Sequence, residues 1–293
     1  MGPDPAVSRG ELPELPEPLG VPTVDAHTHL DACGCRDAAD VTAAMDRAAA
    51  VGVTRAVTVA DDLASARWVV SAAHWDDRVV AAVALHPTRT ATLTEADLTE
   101  IERLAADARV VAIGETGLDY YWDYSPPQAQ QAAFRWHIDL AKRLGKPLMI
   151  HDRDAHEDVL RILTEEGPPD RVIFHCFSGD VEVARRCIDA GYVLSFSGTV
   201  TFRNARALHE VAPLVPEEQI LVETDAPFLT PHPHRGRRNE PYCLPWTVRA
   251  LASLRGVTAE TLAHTVRANA ERLFSLDKLP SVTVDHVEQS RSA

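Results

Sequence analysis

A chain of 293 residues is long enough to bury a substantial core, as one large domain or two smaller ones, and 45% hydrophobic with 25% charged residues is an ordinary balance for a soluble globular enzyme. Its 43 acidic against 29 basic side chains give a formal net charge of -14, which excludes a protein that coats nucleic acid through a broad basic face and leaves room only for a small basic patch. Five scattered cysteines, Cys33, Cys35, Cys176, Cys187 and Cys243, exclude a disulfide framework and fit a reducing cytoplasm, and Cys33-Gly34-Cys35 lacks the second close pair of a structural zinc site.

Residues 1–22 are rich in proline and glutamate, have little to bury, and read as a disordered or peripheral arm. The first strand, 23–29, leads with Val24-Asp25-Ala26-His27-Thr28-His29. Strand side chains alternate faces, so His27 and His29 project from one face with ring nitrogens close enough to share an ion. Alone, such a pair is more often two ordinary surface histidines. Seven further β-branched runs follow at 55–60, 79–85, 109–114, 146–151, 171–176, 192–197 and 219–224. Helical segments between them include Val41 to Ala50, Asp62 to Ala73, Gln128 to Leu144, Ala155 to Glu165 and Glu182 to Ala190. Residues 276–293 turn polar and form a tail. No apolar run spans a bilayer and no signal-peptide pattern opens the chain, so a cytoplasmic protein without membrane contact is expected.

Near-continuously apolar strands alternating with helices imply a parallel sheet covered by helices, and eight repeats across 23–275 fit a single (β/α)8 TIM-like barrel. The competing open doubly wound sheet lacks its glycine-rich phosphate turn after the first strand. At the C-terminal ends of the apolar runs stand His27 and His29, then His86, Glu115, His151, His175 and Asp225. Any one of them could be a satisfied histidine or a helix-capping carboxylate. In phase at one end of a barrel they converge, and imidazole mixed with carboxylate suits zinc, manganese, iron or magnesium better than copper(I) or calcium.

The segments Asp25-Ala26-His27-Thr28-His29-Leu30-Asp31, Gly114-Glu115-Thr116-Gly117-Leu118-Asp119-Tyr120, Ile150-His151-Asp152-Arg153-Asp154-Ala155, His175-Cys176-Phe177-Ser178-Gly179, Glu223-Thr224-Asp225-Ala226-Pro227 and His234-Arg235-Gly236-Arg237-Arg238-Asn239-Glu240-Pro241 carry a resemblance. Together, from Val21 to Phe274, they resemble the TatD family of metal-dependent deoxyribonucleases in the wider metal-dependent hydrolase superfamily. The resemblance implies a distorted TIM barrel with two divalent ions, magnesium, manganese or zinc. It implies one ion on His27, His29 and Asp225, another on His151 and His175, and Glu115 as the bridge. It also implies DNA as partner, preferably single-stranded or at ends. A monomer is expected.

Two departures from the family pattern touch substrate contacts rather than the metal set: Ala84-Leu85-His86-Pro87-Thr88, where a second histidine often follows the proline, and Tyr242-Cys243 after Glu240-Pro241. A two-metal centre suits phosphodiester hydrolysis, with Asp225 as candidate general base and Glu115 beside it. His86, Arg153, Ser178, Arg237 and Arg238 are candidate substrate contacts, the guanidinium forks because they match phosphate geometry. Tyr120, Tyr121 and Trp122 either stack a base or pack the barrel mouth, with packing preferred. Two rival functions stay open: an acyl, lactone or amide hydrolase on the same centre, and a non-catalytic scaffold stabilised by metal.

Overall fold

The eight apolar runs become eight parallel strands in sequential order, β1 (Thr23–Thr28), β2 (Val53–Val59), β3 (Val79–Val83), β4 (Val110–Asp119), β5 (Leu148–Arg153), β6 (Val172–Phe174), β7 (Val193–Phe196) and β8 (Ile220–Val222), in a computed structural model that describes residues 11–279. The sheet closes where Asp225 N donates to His27 O at 2.9 Å and His29 N to Ala226 O at 2.7 Å. Asp25, wholly buried, pins the same seam by accepting from Thr224 N at 2.9 Å and Thr224 Oγ1 at 2.5 Å. Alternate residues fill the interior, among them Val24, Val57, Val80, Met149, Ile173 and Leu221, while their strand neighbours face the helices.

The helices are α1 (Ala38–Ala49), α2 (Leu63–Trp75), α3 (Glu95–Ala105), α4 (Pro127–Leu144), α5 (His156–Glu166), α6 (Val181–Asp189), α7 (Arg206–Val211), α8 (Leu244–Arg255) and α9 (Ala259–Phe274). Asp37, Asp62, Thr94, Asp180 and Thr258 cap starts with their side-chain oxygens, and left-handed Gly145 and Gly256 end α4 and α8. None of the described helices is long and apolar enough to cross a membrane.

Two register shifts matter for function. Between Asp25 and Thr28, β1 spends three steps where β2 spends two, and between Ile113 and Thr116, β4 does the same against β5. Ala26 and Ala112 belong to the interior set, so strict alternation would turn His27 and Glu115 outward. The extra residue in each bulge returns both side chains to the barrel axis. Glu115 therefore does not close its strand as expected: β4 runs on to Asp119, because Gly117, Leu118 and Asp119 keep pairing with His151, Asp152 and Arg153 of β5.

Within the expected arm, residues 1–10 lie outside the described residues, and 11–22 rest on the barrel. There Pro13 O accepts from Tyr242 Oη at 2.6 Å, Glu17 O from Arg249 at 2.6 Å, and Leu19 N donates to Val51 O at 3.0 Å. Tyr242 is thus a buried anchor for the arm rather than a substrate contact. The tail starts with a short turn, Leu276–Lys278, whose Leu276 is buried, and 280–293 lie outside the described residues.

Candidate metal centre

Six side chains from five strands and the loops just beyond them meet at the C-terminal mouth. The carboxylate of Glu115 divides between two groups of them. Its Oε2 lies 3.5 Å from His27 Nε2 and 3.8 Å from His29 Nε2, with Asp225 Oδ1 at 3.6 and 3.5 Å from those nitrogens. Its Oε1 lies 2.6 Å from both His151 Nδ1 and His175 Nε2. His27 and His29 come from the bulged end of β1. Asp225 reaches back because its backbone takes a left-handed turn past β8, φ +51°, as does Cys176 just after His175, φ +41°.

Partners behind each ring decide which nitrogen faces the centre. His29 Nδ1 sits 3.0 Å from Val59 O, an acceptor only, so it carries the hydrogen and leaves Nε2 with a lone pair. His175 Nδ1 faces Glu223 Oε1 at 3.2 Å, His151 Nε2 faces Asp119 Oδ2 at 2.9 Å, and His27 Nδ1 faces the thioether of Met149 at 3.1 Å. All four rings thus turn a lone pair inward, onto carboxylate oxygens and onto each other, His27 Nε2 being 3.1 Å from His29 Nε2. Lone pairs gathered this closely repel unless a cation lies among them, and the carboxylate partners behind the rings are the usual support of metal-bound imidazole. The donor set fits divalent metal: His27, His29 and Asp225 form one candidate trio, and Glu115, His151 and His175 another.

His86 is different. Its Nδ1 accepts from Thr88 N at 3.2 Å beside Thr88 Oγ1 at 2.6 Å, so the hydrogen sits on Nε2, which points inward 3.3 Å from His151 Nδ1 and 3.6 Å from Glu115 Oε1. It presents a donor, not a ligand lone pair. Burial and the neighbouring His151 push its pKa down to about 3 and keep it neutral. Thr88, standing where a second histidine often follows the proline, serves to orient His86.

The field of the centre favours positive charge. Where no metal ion takes those lone pairs a proton does so: against the cost of burial, Asp61 and Asp225 raise His29 to about 10, and Asp119 and Glu115 raise His151 to about 9. Glu115 is held well below the usual carboxylate range, burial notwithstanding, by His175 and by its contact with His151. Burial and the His175 ring stacked 4.0 Å away hold His27 down at about 4.

The other candidates scatter. Arg153 is exposed, its guanidinium 4.0 Å above the Tyr121 ring. Ser178 is exposed and donates to Asp152 O at 3.2 Å, and Arg237 is exposed on the loop after β8. Arg238 donates to Cys33 O at 2.6 Å, tying that loop to the one after β1, which occupies its fork. Tyr120 separates from its neighbours: its hydroxyl donates to Asp158 at 2.7 Å and accepts from Gln131. Sequence reasoning missed Asp119, Glu223, Asp61 and Asp25. The signal was faint, since Asp119 and Glu223 lie inside the quoted segments but only the fold sets them behind His151 and His175.

A parallel (β/α)8 barrel with imidazoles and carboxylates gathered at its C-terminal mouth defines the class of metal-dependent hydrolases. The TatD related DNase family matches residues 24–275, and the chain belongs to that family. It is 63% identical to a Mycobacterium tuberculosis protein named as an uncharacterized metal-dependent hydrolase TatD, over 86% of this chain and 98% of that one. It is 40% identical to the 3'-5' ssDNA/RNA exonuclease TatD of Erwinia billingiae, over 66% of this chain and 76% of that one. The crystal structure of the TatD homologue YJJV from Escherichia coli superposes with a TM-score of 0.80 at 29% identity, covering 86% of this chain and 98% of that one.

Proposed function

We propose that this chain hydrolyses phosphodiester bonds of single-stranded nucleic acid, DNA foremost, at or near a strand end, with two divalent ions, magnesium, manganese or zinc. His27, His29 and Asp225 would hold one, and His151 and His175 the other, with Glu115 shared between them. The observation that carries this reading is the division of Glu115, one oxygen toward each trio. The Erwinia billingiae relative, named for action on single-stranded DNA and RNA from the 3' end, supports the substrate class. Five free thiols support a cytoplasmic setting.

Ions so held supply Lewis acidity to a phosphoryl oxygen and make water easier to deprotonate. Asp225 turns Oδ1 toward His27 and His29 and keeps Oδ2 as the general base for attacking water. The inward Nε2 hydrogen of His86 donates to a phosphoryl oxygen, and Arg153, Ser178 and Arg237 meet phosphates at the rim. Asp119 and Glu223 hold the rings of His151 and His175 in the tautomer that the chemistry needs.

The test is metal-free protein refilled separately with magnesium, manganese and zinc, then assayed on single-stranded DNA, duplex DNA and an acyl ester. Hydrolysis of the single strand with at least one metal is expected. Turnover confined to the ester would replace the nuclease with the acyl hydrolase, and metal-saturated protein inert on all three would make it a scaffold.

A further inference from the structure

The loop after β4 carries an aromatic cluster that the catalytic reading does not use. Tyr121 and Tyr124 are 55% and 63% exposed, more open than the intermediate burial usual for tyrosine. The Trp122 and Tyr124 rings stack at 5.4 Å and 11°, and Tyr121 stands edge-on to Trp122 at 4.9 Å. Arg153 lies over Tyr121, and among the described residues no carboxylate pairs with its guanidinium. Other arginines of this acidic chain are differently placed, in ion pairs such as Arg47–Glu240 or Arg78–Asp76.

Asp119 joins this cluster to the metal centre. Its Oδ1 accepts from Tyr121 N at 3.0 Å and Trp122 N at 2.9 Å, while its Oδ2 holds His151. In the ladder it pairs with Arg153, so the rings and the guanidinium are set by the same two strands that set Glu115 and His151. Exposed rings with an open cation, tied through Asp119 to the metal centre, have the chemistry of a base-stacking platform: every base has a π-face and every nucleotide a phosphate.

Building on the nucleic-acid reading above, we propose that Tyr121, Trp122 and Tyr124 form a shelf on which an unpaired nucleobase stacks, with Arg153 on the adjoining phosphate. A paired base has both faces covered by its neighbours and cannot use the shelf. Preference for single strands and frayed ends then follows from this loop rather than from the metals.

The test is equilibrium binding of the metal-loaded Asp225→Asn chain to a short single-stranded deoxyoligonucleotide, and to copies with a tetrahydrofuran abasic residue at each of the end positions in turn. At one or two positions removal of the base should weaken binding about five- to hundredfold, the range of one base–aromatic stack. Adding Tyr121→Ala and Tyr124→Ala should weaken binding of the intact strand by a similar factor and leave the abasic strand unchanged, whereas Tyr121→Phe should bind as the parent does. These side chains are exposed, so folding is not at stake. Equal losses on intact and abasic strands, no loss on either, or a dimer that the tyrosine variants dissolve would overturn the shelf. Hydrolysis of the intact strand by the wild-type chain judges the nuclease reading separately, because it can persist when base dependence is absent.

Discussion

Asp119 Oδ2 lies 2.9 Å from His151 Nε2, and the other oxygen of the same carboxylate is taken by two backbone N–H groups of the aromatic loop. In Asp119→Asn the amide oxygen must stay with those two donors, so the NH2 group faces His151 and forces the ring hydrogen onto Nδ1, toward Glu115. An isosteric change should therefore cost about ten- to a hundredfold in metal affinity, the usual loss when the partner behind a metal-binding histidine is removed. Calorimetric metal titration of the variant checks it, and wild-type affinity would show that the tautomer of His151 is not fixed by Asp119.

Glu115→Gln keeps the side-chain shape but replaces the anion that both trios share. Losing a charge-assisted contact costs about 1.5–3 kcal/mol, so the metal affinity of one site should fall by about ten- to a hundredfold while the far-ultraviolet spectrum is unchanged. Metal analysis after gel filtration reads this directly. Full occupancy with full activity would rule out the bridge.

Asp225→Asn should separate from Glu115→Gln in its response to metal. As ligand and base together, Asp225 should depress kcat by about 10²–10⁴-fold even at metal concentrations that restore occupancy. Recovery of wild-type kcat at high metal would reduce Asp225 to a ligand.

His137, wholly buried in α4, places Nδ1 2.8 Å from Ala133 O and receives Leu85 N on Nε2 at 3.3 Å, a pattern that only the neutral ring satisfies. Burial lowers its pKa from 6.5 to about 4. Below pH 6.5 the unfolded chain binds a proton that the folded chain refuses, so stability is full above that pH and is lost as pH falls toward 4. The loss reaches about 3 kcal/mol at 1.36 kcal/mol per pKa unit. Urea unfolding of wild type and His137→Gln between neutral and acid pH should show the variant with the shallower pH dependence. Parallel curves would mean that His137 is not the group responsible.

Binding of single strands should depend weakly on salt. A chain of net charge -14 repels a polyanion at long range, leaving only local cations to hold phosphates. Each phosphate neutralised on a single strand contributes about -0.7 to the log–log slope, so about three contacts give a slope near -2. Affinity of the Asp225→Asn variant across a salt series measures it. A slope steeper than about -5 would reveal an extended basic groove and end the reading of an end-acting enzyme.

What the sequence by itself determined is whatever local periodicity and residue chemistry encode. Alternating βα runs were enough for eight parallel strands, and the order of His27, His29, Glu115, His151, His175 and Asp225 along them was enough to gather six donors at one face. The boundaries erred where pairing outlasts the apolar run, as in β4, which continues to Asp119 through Thr116 and Gly117 because β5 still offers it partners. Only the tertiary structure decided which way each group faces. The bulges that turn His27 and Glu115 inward are register differences between two strands, and neither strand's own sequence contains them. Likewise the proton on each imidazole is set by partners remote in the chain, Met149 lying 122 positions from His27 and Glu223 lying 48 from His175. Such contacts separate His86, a donor, from the four rings that turn lone pairs inward, and Tyr120, tied to Asp158, from the exposed Tyr121 beside it. A hydrogen bond takes its direction from where its partner stands in space, and chain closure, not composition, puts the partner there.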